Sequence, residues 1–311
     1  MRSIVDMDNI QVEVTNACHL DCSNCTRFCG HHKKPYMMDM DFFKKCIESV
    51  IQYPKIVGIM GGEPLLHPQF EEICQYALEK IGRDRLGLWT SLPRGKEHLG
   101  PTIVRTFKHV FLNDHTRPDI YHAPLLVPIR DLIQKEYQWQ MWQVVDHCWV
   151  QNSWSASLNP KGAYFCEIAA AMAMLYDDGE TAWPIDSDWW KKTPKDFTAQ
   201  IEKWCPLCGA AVQLKRRLST DGKDDIAPSV YEKLKGRSRK IKAGKCVVGI
   251  PQIMKEPERM AAYKDMGYRQ AIAARYGMYL TINDHKYWEP HLGEARKTIF
   301  DQTCEDFGDK E

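Results

Sequence analysis

The strongest constraint on this chain is a repeated beat of short apolar runs, each followed by a polar turn and, early on, by a stretch with helical periodicity. Residues 10–15, 55–60, 86–90, 109–113 and 141–145 are rich in Val, Ile, Leu or aromatics and read as strands. Between the first two, residues 39–52 place Phe42, Phe43, Cys46, Ile47 and Val50 on one side of a helix. Residues 68–80 repeat the pattern with Phe70, Ile73, Cys74 and Ala77. Strands alternating with helices at this spacing indicate an α/β fold of parallel β/α units, either an open doubly wound sheet or part of a barrel. Five strands are too few to close an eight-stranded barrel.

Polar residues fall at the C-terminal ends of these runs. Cys18 to Cys25 follows the first, Gly61-Gly62-Glu63-Pro64 the second, Thr90-Ser91 the third, Asn113-Asp114 the fourth and Asp146-His147 the fifth. In both architectures that edge of the sheet is where ligands and chemistry collect.

The chain holds twelve cysteines in 311 residues. No basic-flanked apolar segment opens it and nowhere do about eighteen apolar residues run together. A soluble cytoplasmic protein with no membrane partner is therefore expected, and in that compartment cysteines serve metals or catalysis more often than disulfides. The formal charge of +1 provides no global basic field, so a nucleic-acid partner is not expected.

Cys18-x3-Cys22-x2-Cys25 puts three thiols within eight positions. Three thiolates on a four-iron cluster leave one iron open. This loop after a first strand, with Gly61-Gly62-Glu63-Pro64 ending the second, resembles the radical S-adenosylmethionine (radical SAM) superfamily. The resemblance implies a [4Fe-4S] cluster on Cys18, Cys22 and Cys25 whose open iron chelates the SAM amino and carboxylate groups. Gly61, Gly62 and Glu63 would steady the amino group. Reductive cleavage of SAM, fed by an external reductant such as flavodoxin or ferredoxin, would give a 5′-deoxyadenosyl radical that takes a hydrogen atom from substrate. By position, Thr90, Ser91 and Asn113 are candidates for the SAM ribose and carboxylate; each is equally suited to capping a helix or turn.

Two features depart from the family pattern. Asn24 stands where the family usually has an aromatic residue, so adenine contact falls to a polar group or to another residue such as Phe28. Cys29 makes a fourth nearby thiol, and four cysteines would close a cluster of the electron-carrier kind.

The second half carries Cys148, then Cys166, then Cys205-Pro-Leu-Cys208. Residues 155–158, 159–162 and 163–166 read as strand, turn and strand, a hairpin that delivers Cys166 beside Cys148. The pattern resembles a twitch domain, the shortened SPASM extension, and implies an auxiliary [4Fe-4S] cluster on Cys148, Cys166, Cys205 and Cys208; a tetrahedral zinc site is the structural alternative. The expected organisation is a partial β/α TIM-type barrel over 1–147, a twitch-like domain over 148–250 and a C-terminal helical or strand extension over 251–311.

Cys246 lies outside both patterns. It is a candidate hydrogen-atom donor, which would make the reaction a redox-neutral epimerisation; as an ordinary buried cysteine it would leave oxidation of an alcohol to a ketone. Twitch-bearing enzymes of this length resemble those acting on aminocyclitol and amino-sugar carbons, so a small carbohydrate-like substrate is expected; a peptide or nucleotide-linked one is the other possibility. Trp183, Trp189 and Trp190 with Asp177, Asp178, Glu180, Asp186 and Asp188 would suit a cationic, hydroxylated ligand, or form core and solvated loop. Residues 233–245 hold seven basic side chains in thirteen, read as a solvated face or a phosphate site. His31, His32, Lys33 and Lys34 read as loop surface or pocket rim, and His19 as a hydrogen-bond partner of the cluster.

Overall fold

The computed structural model describes residues 1–254 apart from 114, 117–119, 134, 147 and 154; the expected extension beyond 254, Cys304 included, lies outside the described residues. Strand β1 (Asn9–Thr15) is buried along its whole length. Ile10, Val12 and Val14 alternate with Gln11, Glu13 and Thr15, so one face is apolar and the other polar, and both are covered. Helix α1 (Met40–Ser49) starts at Asp39, whose side chain accepts the Phe42 N–H at 2.9 Å. It buries Phe43, Cys46 and Ile47 fully. Each large apolar side chain so buried stabilises by about 1.5–3 kcal/mol.

Strands β2 (Ile56–Gly61), β3 (Leu86–Thr90) and β4 (His109–Leu112) add to β1 in parallel. Helices α2 (Phe70–Ile81) and α3 (Gly100–Thr106) fill the crossovers, and α2 buries Phe70, Ile73, Cys74, Ala77 and Ile81. The chain continues through β5 (Tyr121–His122), α4 (Ile129–Leu132), α5 (Gln138–Asp146) and α6 (Trp149–Ser153). It then returns to the sheet. Strand β6 (Ala156–Asn159) lies parallel to β1, with Ile10 opposite Ala156 and Val12 opposite Leu158. Strand β7 (Gly162–Tyr164) completes a hairpin with β6. Gly162 sits at φ +133°, where an added Cβ would meet the Trp183 carbonyl at 2.7 Å.

The result is one six-stranded sheet in the order β4-β3-β2-β1-β6-β7, mixed only at its last strand. An α/β fold is thus present, as an open sheet among the described residues. The strand expected at 141–145 is instead part of α5. Met141 and Val145, four residues apart, are buried, while Trp142 and Val144 turn outward; the apolar run follows a helical period that a short window does not separate from a strand. The remaining elements are α7 (Glu167–Tyr176), α8 (Thr198–Trp204), β8 (Arg217–Leu218), β9 (Asp224–Ile226), α9 (Pro228–Leu234), α10 (Arg239–Lys242) and β10 (Cys246–Val248). Strands β9 and β10 pair in parallel, and β8 pairs with β5. Among the described residues no helix is long and apolar enough to cross a membrane.

Candidate functional site

The loop after β1 and the turn after β2 are held together by backbone. Gly62 N–H donates to the Thr15 carbonyl and Glu63 N–H to the Ala17 carbonyl, both at 2.7 Å. An added Cβ would lie 2.0 Å from the Thr15 oxygen at Gly61 and 2.2 Å from the Ala17 oxygen at Gly62. Only glycine permits this approach. The Glu63 side chain then turns to β3. Its carboxylate accepts the Thr90 hydroxyl at 2.6 Å, the Ser91 hydroxyl at 2.6 Å, the Ser91 N–H at 2.8 Å and the Leu65 N–H at 3.2 Å. Burial raises its pKa against the pull of those hydrogen bonds. Asn113, half-buried, joins through its N–H to the Thr90 carbonyl at 2.8 Å. Gly61, Gly62, Glu63, Thr90, Ser91 and Asn113 therefore meet at the C-terminal edge of the parallel strands.

Four thiols stand beside them. The Cys29 thiol is within hydrogen-bond reach of both the Cys18 and the Cys25 sulfur. That contact, with burial opposing it and His19 assisting through a hydrogen bond, brings Cys18 down to about 5. Cys25 is lowered by the same thiol, whereas Cys29 is raised by its bonds to the two sulfurs. Burial and the neighbouring sulfurs push Cys22 up. His115 Nδ1 lies 3.6 Å from the Cys22 sulfur, and its ring packs edge-on against His122 at 4.6 Å. His115 and His122 were not legible as site residues; both follow β4, at the sheet edge where polar residues collect.

The loop is gripped from the far end of the described chain. Lys240, only 4% exposed, donates to the Cys22 carbonyl and to Asp224, each at 2.7 Å. Asp224 also accepts the Asn24 N–H at 2.5 Å and lies 2.7 Å from His31 Nε2. Arg239 donates to the Cys29 carbonyl at 3.0 Å and the His32 carbonyl at 2.8 Å. The basic run at 233–245 is therefore in part a clasp on the cysteine loop, and His31 and His32 are buried beneath it instead of lying at a rim. Asn24, at φ 48°, exchanges hydrogen bonds with Asp225 through its side chain. Its amide holds the loop. Phe28 is buried in the main core.

Under the loop, Arg27 bridges Glu13 of β1 and Glu167 of α7, the latter at 2.7 Å, with all three side chains 4% exposed. Ser157 of β6 adds a hydrogen bond to Glu13 at 3.0 Å and Ser155 one to Glu167 at 3.1 Å. Burial raises both carboxyls against the lowering by Arg27. This accounts for Glu13 on the polar face of β1. It also ties the cysteine loop to the residue after Cys166.

Cys148, Cys166, Cys205 and Cys208 line one apolar cavity of about 440 Å³, its mouth included, with Trp204 and Met172 in its wall. Burial first, and then the neighbouring sulfurs, push Cys166 up to about 12 and raise Cys205 and Cys208 well above the usual thiol range. Four thiols on one cavity suit a metal-binding set, whose ligands bind as thiolates and release their protons as the metal enters. Among the described residues no three His, Cys, Asp or Glu side chains surround a single point closely enough to hold one metal ion.

The other expected sites resolve differently. Cys246 is half-buried in β10, opposite Asp224 of β9, and burial with that carboxylate raises its pKa to about 11. Its neighbours are Asp224 and Lys240, on the clasp. Trp189 and Trp190 are core residues, Trp183 packs against that core, and Asp177, Asp178, Glu180 and Asp188 are paired with Lys161, Lys203 and Lys191, which leaves Asp186, among the described residues, as the one candidate of that set with neither role. Cys46 and Cys74 are fully buried on the apolar faces of their helices.

No protein-family model and no curated protein matches the chain. Among solved structures, it is similar to BtrN in complex with AdoMet and 2-DOIA, at 17% identity and a TM-score of 0.41, covering 65% of this chain and 88% of that one. It is also similar to selenomethionyl BtrN in an open conformation, at 18% identity and a TM-score of 0.40, covering 65% and 86%. At this level of superposition the likeness decides nothing about chemistry.

Proposed function

We propose that this chain is a radical SAM enzyme. The observation that carries the reading is the meeting, at one edge of a parallel sheet, of the Cys18, Cys22 and Cys25 loop with the Gly61-Gly62-Glu63 turn and with Thr90 and Ser91. The donor set fits a four-iron cluster at the three cysteines, and with SAM bound there the chemistry supplied is reductive cleavage to a 5′-deoxyadenosyl radical that abstracts a hydrogen atom. The protein's own contribution is placement. Gly61 and Gly62 let the turn lie against the cysteine loop without side chains between them. Glu63 fixes Thr90 and Ser91 at the strand ends beside the cysteine loop. Lys240 and Arg239 hold the loop's carbonyls so that the sulfurs keep one arrangement.

The substrate class we infer is a small molecule with a hydroxyl- or amino-bearing carbon, sugar-like in character. Oxidation of an alcohol to a ketone is the leading outcome. After hydrogen abstraction the carbon must lose one more electron and one proton, which needs an electron acceptor, and the four-cysteine cavity is a place that would hold one. Epimerisation rests on Cys246 and comes second, because that thiol sits with Asp224 and Lys240 instead of with Thr90 and Ser91. The order expected from the sequence is reversed.

The test is anaerobic reconstitution followed by SAM and dithionite. Wild type should release 5′-deoxyadenosine and methionine, and a Cys18/Cys22/Cys25→Ala variant none. A wild type that carries a full complement of iron yet leaves SAM intact would sink the reading.

A further inference from the structure

We infer that Cys29 is an exchangeable fourth thiolate of the first cluster, bound to the iron that Cys18, Cys22 and Cys25 leave free and displaced when SAM arrives. The inference rests on the radical SAM reading above and adds a resting state to it.

Three observations place Cys29 there. Phe28, immediately before it, adopts φ 53° although it is not glycine, and it is 1% exposed. Its N–H donates to the Cys25 carbonyl at 3.0 Å, and its carbonyl accepts the His31 N–H at 2.8 Å. This reverses the chain just past Cys25 and turns Cys29 back toward Cys18 and Cys25. The Cys29 sulfur then reaches both Cys18 and Cys25, the only described free cysteine outside the two expected ligand sets to be seated among one of them. Its main chain is anchored by Arg239, which donates to the Cys29 carbonyl at 3.0 Å. Cys46 and Cys74 show the contrast. They are equally buried, but on helix faces.

The exchange is redox-neutral. An iron–sulfur bond to Cys29 would break, the SAM ammonium would give up one proton so that its nitrogen and the carboxylate oxygen can bind that iron, and the released thiolate would take up one proton in exchange. No electron changes hands. A closed resting cluster has no labile iron, so the device would protect the site until SAM is present.

The test uses reconstituted full-length protein oxidised with ferricyanide. An iron with no thiolate is lost first, leaving a three-iron centre visible by electron paramagnetic resonance. Without SAM, wild type should give at least tenfold less of that signal than Cys29→Ala. Reduced wild type and Cys29→Ala should both show a spectrum that shifts on adding SAM. Equal three-iron signal in wild type and variant overturns the inference. A SAM response confined to Cys29→Ala also overturns it, because Cys29 would then be a permanent ligand. A Cys29→Ala cluster that ignores SAM counts against the underlying reading, whatever Cys29 does. Should Cys29→Ala fail to fold, iron-edge X-ray absorption on wild type decides. Sulfur at every iron without SAM, with nitrogen and oxygen neighbours appearing only after its addition, supports the exchange; light-atom neighbours from the start overturn it.

Discussion

Lys240 and Cys22 are 218 residues apart in sequence, and the Lys240 ammonium donates to the Cys22 carbonyl oxygen at 2.7 Å. The same ammonium is 2.7 Å from Asp224, and both side chains are almost wholly buried. Removing one partner of a buried pair strands the other charge. Lys240→Met is expected to cost about 3 kcal/mol and to lower iron retention at the cysteine loop. Lys245→Met, which loses a pair with Asp21 at half-exposed positions, should change stability by under about 1 kcal/mol. Urea unfolding of the two variants, with iron analysis, checks both; equal effects would mean that Lys240 is not a clasp.

Asp224 gives that clasp a pH dependence. Burial alone would raise its pKa, but the hydrogen bonds and charges of His31 and Lys240 outweigh burial and hold it below 3.8. A carboxyl depressed in the folded state contributes stability that is complete above its unfolded pKa and is lost as pH falls through the folded value. Wild type should therefore exceed Asp224→Asn in stability near neutrality, and the gap should shrink only below about pH 4, the range where an unfolded aspartate takes up its proton. Denaturation midpoints at pH 3, 5 and 7 test the sign. A gap that widens on acidification would refute it.

Glu63 takes four hydrogen bonds that only a carboxylate accepts together. In Glu63→Gln one acceptor oxygen becomes an amide donor facing other donors, and the variant should be about 1–3 kcal/mol less stable. It should also bind SAM more weakly, since Thr90 and Ser91 lose their common anchor. Isothermal titration with SAM separates this from a purely structural effect if Glu63→Gln still carries its iron.

Gly62→Ala drives a methyl against the Ala17 carbonyl and should cost about 1–3 kcal/mol or more by overpacking. Gly236→Ala meets nothing within 4 Å and serves as the control, expected to be neutral.

Cys205→Ser with Cys208→Ser should empty the second cysteine set while leaving the SAM-responsive signal of the first. The metal lost from the variant identifies what the cavity holds. Loss of about four irons supports an auxiliary cluster, and loss of one zinc assigns a tetrahedral structural site.

Much of the site was legible because parallel β/α units put their polar residues at one edge. Cys18, Cys22, Cys25, Glu63, Thr90, Ser91 and Asn113 all sit where strand ends placed them. The clasp was not legible. The basic run around Lys240 and the His31 stretch stand out by composition, but nothing local in sequence announces contacts made across some 200 residues, His31 to Asp224 and Lys240 to Cys22. The 141–145 run misled for a related reason, since a five-residue apolar window fits either period. The hairpin at 155–166 was visible as a hairpin, but its partner was not. A strand with apolar and small residues does not say which edge it will join, and β6 joins β1.

That pairing has a consequence for synthesis. At about 5–20 residues per second, β6 follows β1 out of the ribosome after roughly 7–30 s. During that interval β1 presents one edge of unpaired amides, with the cysteine loop hanging from its end. Fragments that stop before residue 155 keep that bare edge permanently and should aggregate through it, whatever metal is supplied.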